Sequence, residues 1–217
     1  MRILIIEDHE LLAQTLQVAL RADGFEVDVV GDLSAEHIVS VADETRPRVV
    51  LLDLDLGPQG GSGLPLIRPL RDLGATVVVV TGETDRARLG ECVQAGAHGL
   101  LAKSAPFDVL LDAVKGAAEA RTLLTDAERD ALLGDLRREH AAADQRQRPF
   151  TRLTAREREV LAALCAGQSA DTIASESFVS MATVRSQIHS LLQKLGVHSQ
   201  IGAVAAARRA GWTPDTD

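Results

Sequence analysis

The stretch Val49-Val50-Leu51-Leu52-Asp53-Leu54 runs four apolar residues straight into a carboxylate. Such a run does not suit a strand with one wet face. It suits a strand buried on both faces of a parallel sheet, with Asp53 emerging at its C-terminal end. The unit repeats in both directions. Short apolar runs at Ile3–Ile6, Val27–Val30, Val77–Val80 and Gly99–Leu101 alternate with segments such as Leu11–Leu20, whose apolar residues recur every three or four positions. Five strands alternating with helices predict an α/β fold: a five-stranded, parallel, doubly wound (βα)5 sheet. Its binding crevice should lie at the C-terminal strand ends.

Composition agrees with that sheet and asks for a second domain. Hydrophobic residues make up 46% of the 217, yet aromatics only 2%, so the apolar content is Val, Leu, Ile and Ala, which suits buried parallel strands. The length fits two cores better than one. Charge divides unevenly: residues 1–120 carry 10 basic and 19 acidic side chains, whereas residues 151–217 carry 7 and 6. The net charge of −8 therefore belongs to the first domain and does not exclude nucleic-acid binding by the second. Cys92 and Cys165 are far apart and within helical segments, which reads as packing rather than a disulfide framework. No apolar run approaches membrane length and Met1-Arg2 leads directly into a strand, so a cytoplasmic protein without membrane association is expected.

Three carboxylates should meet at the sheet edge, because the first strand ends in Glu7-Asp8 and the third in Asp53. Their mutual repulsion calls for a hard divalent ion, and an oxygen-only donor set matches octahedral Mg²⁺. The fourth strand ends in Thr81 and the fifth is followed by Lys103, adding a hydroxyl donor and a cation. Together these make a phosphoryl-transfer site in which Asp53 is the nucleophile and the metal, Thr81 and Lys103 neutralise phosphoryl oxygens. Singly, each residue could be a helix cap or an ion-pair partner. Their joint placement favours chemistry.

Glu7-Asp8-His9, Val49–Leu54, Thr81-Gly82 and Ala95–Lys103 resemble the receiver motifs of the NarL/FixJ response-regulator family over about the first 120 residues. The resemblance implies that Asp53 is the phosphoacceptor, that Glu7, Asp8 and Asp53 hold Mg²⁺ with the main-chain carbonyl of Asp55, that Thr81 is the switch hydroxyl, and that Lys103 contacts the phosphoryl group. Two departures concern mechanism. Leu100 stands where the family often has an aromatic residue that swings inward with the switch hydroxyl. The loop Gly57-Pro58-Gln59-Gly60-Gly61-Ser62-Gly63 is richer in glycine than usual, which predicts altered flexibility and altered access to Asp53.

From Arg121 to Arg148 the chain is charged and alanine-rich, with Thr125 as N-cap and Pro149 closing the segment, and a helical linker over 121–149 is expected. Residues 150–217 contain no strand pattern. Thr154 and Glu157 form a capping-box signature before an apolar run. A short helix over Ser169–Glu176 and a longer one over Met181–Leu195, capped by Ser180, make a helix-turn-helix. No acidic residue occurs between Ser180 and Gly196. Arg185, Ser186 and His189 are base-edge candidates, with Gln187 suited to adenine and Thr183 and Lys194 suited to phosphate. Leu153-Thr154-Ala155-Arg156-Glu157, Ala182-Thr183-Val184-Arg185 and Lys194-Leu195-Gly196-Val197 resemble the LuxR-type helix-turn-helix. The last helix, about Gln200–Ala210, presents Ile201, Val204 and Ala205 as a dimerisation surface.

The expected function is a DNA-binding transcriptional response regulator of a two-component system, controlled by phosphorylation of Asp53. Its expected partners are double-stranded DNA, a sensor histidine kinase and, when activated, a second copy of itself. The alternative is a regulator of the same architecture gated by a small molecule or a partner protein. An enzyme is disfavoured: a phosphohydrolase has no use for the helical domain, and neither a glycine-rich dinucleotide motif nor a P-loop follows the first strand.

Overall fold

The computed structural model describes residues 1–119 and 121–214. The residues at 120 and 215–217, where the expected domain limits partly fall, lie outside them. The chain divides into two compact units, Met1–Arg138 and the residues from Glu139 onward.

The first unit is a five-stranded parallel sheet, with β1 at Arg2–Ile6, β2 at Glu26–Val29, β3 at Val49–Leu52, β4 at Thr76–Thr81 and β5 at Gly99–Ala102. The strand order is β2-β1-β3-β4-β5. The helices are α1 (Glu10–Ala22), α2 (Ala35–Thr45), the single turn α3 (Gly57–Gly60), α4 (Ile67–Asp72), α5 (Arg86–Ala95) and α6 (Phe107–Ala118). Period-two alternation sends neighbouring residues of one strand to opposite faces. Leu4, Ile6, Val50, Leu52, Val77 and Val79 pack beneath α2, α4 and α5. Ile3, Ile5, Val49, Leu51, Val78 and Val80 pack beneath α1 and α6. Both faces are covered, which is why these strands read as unbroken apolar runs.

The order reverses between β1 and β3, the place where an open α/β sheet leaves a crevice at its strand ends. Register brings the functional positions there: Ile6 pairs with Leu52, and Asp53 N–H donates to the carbonyl of Ile6 at 2.9 Å. On the other side, Lys103 N–H donates to the carbonyl of Thr81 at 2.9 Å.

Helix α7 (Asp126–Thr151) begins in the first unit, where Leu132 and Leu136 are buried. Leu132 joins Val93 and Leu124 in a small cluster that also takes in Leu100. The helix runs two residues past Pro149 instead of stopping there. A proline so near a helix end removes one N–H and perturbs one turn, a loss the last turn tolerates.

The second unit holds α8 (Ala155–Cys165), α9 (Ala170–Glu176), α10 (Met181–Leu195) and α11 (Gln200–Ala210) around Leu161, Val184, Leu191 and Ala203. The capping box of Thr154 and Glu157 is formed, and Ser180 accepts from Thr183 N–H at the start of α10. Phe150 stacks on Trp212 with ring centroids 6.0 Å apart. Among the described residues, no helix is long and apolar enough to cross a membrane.

Candidate functional site

At the C-terminal edge of the sheet lies a cleft of about 620 Å³, lined by Asp53, Asp55, Ser62, Thr81, Glu83, Arg88 and Lys103 among others. Asp53 and Glu7 are almost wholly buried, with side chains 1% and 3% exposed. Two carboxylates held so close in a dry site repel each other unless a cation intervenes. Lys103 is that cation. Its Nζ donates to Asp53 Oδ2 at 2.6 Å and to Glu7 Oε1 at 2.7 Å. Burial lowers the pKa of the ammonium, but the hydrogen bonds it donates to Asp53 and Glu7, with their negative charges, outweigh that and hold its pKa above the ordinary lysine value.

His9 lies at the rim. Its Nδ1 is 2.9 Å from Glu7 Oε1 and 2.6 Å from Asp8 Oδ1. The hydrogen bond to Glu7 raises its pKa, Lys103 opposes, and Asp8 adds to the rise. Thr81 is buried, and its Oγ1 accepts from Glu83 N–H at 3.1 Å, which leaves the hydroxyl hydrogen free to donate into the cleft.

Ligand atoms of Glu7, Asp8, His9 and Asp53 lie within 4.8 Å of one another. Three carboxylates of this closeness form an anionic oxygen set that fits a hard divalent cation, and Lys103 is the cation that faces two of them in the protein alone.

The glycine-rich loop is not a slack connection. Asp55 pairs with Ser62 in an antiparallel bridge, Leu56 N–H donates to Gly61 at 2.8 Å, and Gly63 N–H donates to Leu54 at 3.0 Å. A Cβ on Gly63 would fall 2.1 Å from the carbonyl oxygen of Asp53, and one on Gly57 would fall 3.0 Å from Asp8 Oδ2. Gly63 thus lets the loop close against the backbone of Asp53, whereas Gly57 is held at φ +67, a conformation that strains any residue with a side chain.

In the helical unit, Thr183, Arg185, Ser186 and His189 are exposed along α10. Gln187 and Lys194 are placed differently. Gln187 Oε1 is buried without a hydrogen-bond partner. Lys194 Nζ donates to Glu157 Oε2 at 2.6 Å, while Ser190 donates to Glu157 Oε1 at 2.6 Å. Burial favours the neutral acid, yet Lys194, Ser190 and Thr154 together pull Glu157 down to about 2.

Sequence reasoning placed Glu7, Asp8, Asp53, Thr81 and Lys103 at one edge, and the structure brings them together. It did not anticipate His9, Ser62, Glu83 or Arg88 in the same cleft. For Arg88 the available signal is Asp85, whose side chain caps α5 by accepting from Ala87 N–H and so fixes which residues of the first turn face the strand ends.

Comparison with known proteins agrees with this architecture. Residues 3–115 match the response regulator receiver domain, and residues 151–207 match the bacterial regulatory proteins of the LuxR family. The chain is 34% identical over 206 residues to the nitrate/nitrite response regulator protein homolog of Haemophilus influenzae, covering 94% of each. It is 31% identical over 209 residues to the DNA-binding transcriptional activator DevR/DosR of Mycobacterium tuberculosis, covering 95% of this chain and 93% of that one. The solved complex of the two-component response regulator RcsB with DNA has a TM-score of 0.51 at 21% identity over 96% of this chain and 98% of that one, a likeness of fold. The chain belongs to the two-component response regulators that join a receiver domain to a LuxR-type DNA-binding domain, a family of transcriptional regulators.

Proposed function

We propose that this regulator is switched by phosphorylation of Asp53 and acts as a regulator without catalytic turnover on other molecules. The observation that carries the reading is Lys103 bridging Asp53 and Glu7 in a cleft that also presents Thr81. The donor is a phosphohistidine on a sensor kinase. An Asp53 carboxylate oxygen forms the new P–O bond in line as the P–N bond breaks, and the imidazole leaves neutral once it carries one proton. Glu7, Asp8, Asp53 and the carbonyl of Asp55 would hold Mg²⁺, which when bound supplies charge neutralisation on the phosphoryl oxygens. Lys103 then exchanges the Asp53 carboxylate for a phosphoryl oxygen, and Thr81 donates to another. The gated alternative, with a small molecule or partner protein as the signal, is less favoured because it leaves this constellation without a purpose.

The proposed domain limits are 1–120 for the receiver, 121–149 for the linker and 150–217 for the DNA-binding domain, in a cytoplasmic protein. Arg185, Ser186 and His189 would meet base edges of double-stranded DNA, with Thr183 on the backbone, and activated chains would pair as homodimers on adjacent half-sites. The experiment is phosphorylation of the native chain and of Asp53→Ala by a small acyl phosphate with Mg²⁺, read by intact mass and by DNA mobility shift. Uptake by the native chain alone, with tighter DNA binding, is the expected result. Equal labelling of Asp53→Ala refutes it.

A further inference from the structure

Arg88 occupies the third position of α5 and lines the same cleft as Asp53, Thr81 and Lys103. Its guanidinium spans the mouth: Nη2 is 3.4 Å from Ser62 Oγ on one wall, and Nε is 3.4 Å from Glu83 Oε2 on the other. Both contacts are long for bonds from a charged donor. Glu83 is committed elsewhere, since its Oε1 accepts from the N–H groups of Thr84 and Asp85 at 2.8 and 2.9 Å. The cleft therefore carries a second cation, held loosely, beside the tightly bonded Lys103.

Phosphorylation changes the balance of charge there. A phosphorylated Asp53 carries close to two negative charges and three strong acceptor oxygens in place of one carboxylate. Glu7, Asp8 and the phosphoryl group would then total about four negative charges, against two positive from Mg²⁺ when bound and one from Lys103, which is already shared with Glu7. A planar guanidinium with several donors is the side chain best suited to the remainder. We propose that Arg88 is a phosphoryl-binding residue, which leaves Ser62 and Glu83 for a phosphoryl oxygen on Asp53. The proposal rests on Asp53 being the phosphoacceptor. It also supplies a route out of the site that needs no aromatic at Leu100. Helix α5 carries Arg86, paired with Asp135 of α7 at 2.7 Å, and Gly90, against which Leu132 and Leu136 pack. A pull on Arg88 acts on the helix that seats the start of α7.

The test is titration of the full chain with beryllofluoride in excess Mg²⁺, followed by ¹⁹F NMR, for the native protein, Arg88→Met, Arg88→Lys, Glu83→Gln and Asp53→Ala. Arg88→Met should weaken binding about 10-fold, the usual scale for a hydrogen bond to a charged group. Arg88→Lys should recover part of the loss, and Glu83→Gln, which frees the guanidinium, should tighten binding. Mg²⁺ alone should bind Arg88→Met no more weakly than the native chain, an outcome that a merely structural role for Arg88 does not predict. Native affinity in Arg88→Met overturns the proposal. Should the native chain and Asp53→Ala behave alike, the phosphoacceptor reading itself fails, and the proposal falls with it.

Discussion

The ammonium of Lys103, just beyond β5, lies 2.6 Å from Oδ2 of Asp53, just beyond β3, so the contact reaches past the whole width of β4. It is a structural pair as well as a chemical one. Both carboxylates that it bonds are buried, and a buried charge left without its partner is costly.

Lys103→Met should therefore destabilise the first unit by about 2–4 kcal/mol in the absence of divalent ions. Millimolar Mg²⁺ should return much of that loss, because the ion takes over the neutralisation of Glu7 and Asp53. Thermal unfolding of the variant with Mg²⁺ and with chelator checks both parts. A midpoint that ignores Mg²⁺ would show that the carboxylates do not form a cation site.

The loop from Gly57 to Gly63 separates two reasons for glycine. Gly61 has φ +65 and ψ −127, a region that residues with a side chain rarely enter, with open space around its missing Cβ, so Gly61→Ala should cost about 1–3 kcal/mol of backbone strain and leave beryllofluoride binding intact. Gly63 has an ordinary φ of −72, but its Cβ would collide with the Asp53 carbonyl. Gly63→Ala should cost at least about 3 kcal/mol or force the loop away from Asp53, with loss of beryllofluoride binding. Urea unfolding and ¹⁹F spectra of the two variants give the comparison; equal effects would refute the close-approach account.

These glycines also mark how far the sequence could be read. The strands were legible because burial on both faces leaves unbroken apolar runs, and the acids were legible because they sit where those runs end. The loop's composition announced glycine but not the reason for it, since the reason is an approach to Asp53 fixed only in three dimensions. Glu157 shows the same limit. Its capping-box role follows from its spacing to Thr154, whereas Ser190 and Lys194 come from a helix more than 30 residues away. Lys194 reads from the sequence as a phosphate contact, and the bond of its ammonium to a buried acid is a second role that spacing does not announce.

That buried acid predicts a pH dependence in the helical unit. Glu157 titrates at about 2 in the folded chain against 4.5 ordinarily, so it stabilises the fold above pH 4.5, and the contribution drains away as pH falls toward 2. The depression is worth at most about 3 kcal/mol. Trp212, the only tryptophan, stacks on Phe150 inside this unit and reports its unfolding selectively. Urea midpoints followed by tryptophan fluorescence should fall between pH 5 and 3 more steeply for the native chain than for Glu157→Gln. Parallel slopes would remove Glu157 as the cause.

Gly90 offers the cleanest handle on how α7 is seated. A Cβ there would stand 2.5 Å from the carbonyl oxygen of Leu132 and 3.0 Å from Cβ of Leu136, both on α7, while the helix of Gly90 has no need of glycine for its own sake. Gly90→Ala should therefore strengthen α5 by propensity and push α7 off it, two effects of opposite sign at different places. Asp135→Asn, which removes the ion pair with Arg86, should loosen the same contact more gently. Amide hydrogen exchange over 126–138 is the measurement. Exchange there should rise in Gly90→Ala by about 10-fold or more and by less in Asp135→Asn, with β1, β3 and β4 unchanged. Unaltered protection over 126–138 in Gly90→Ala would mean that α7 is held by other contacts, and a pull on Arg88 would then have no purchase on it through α5.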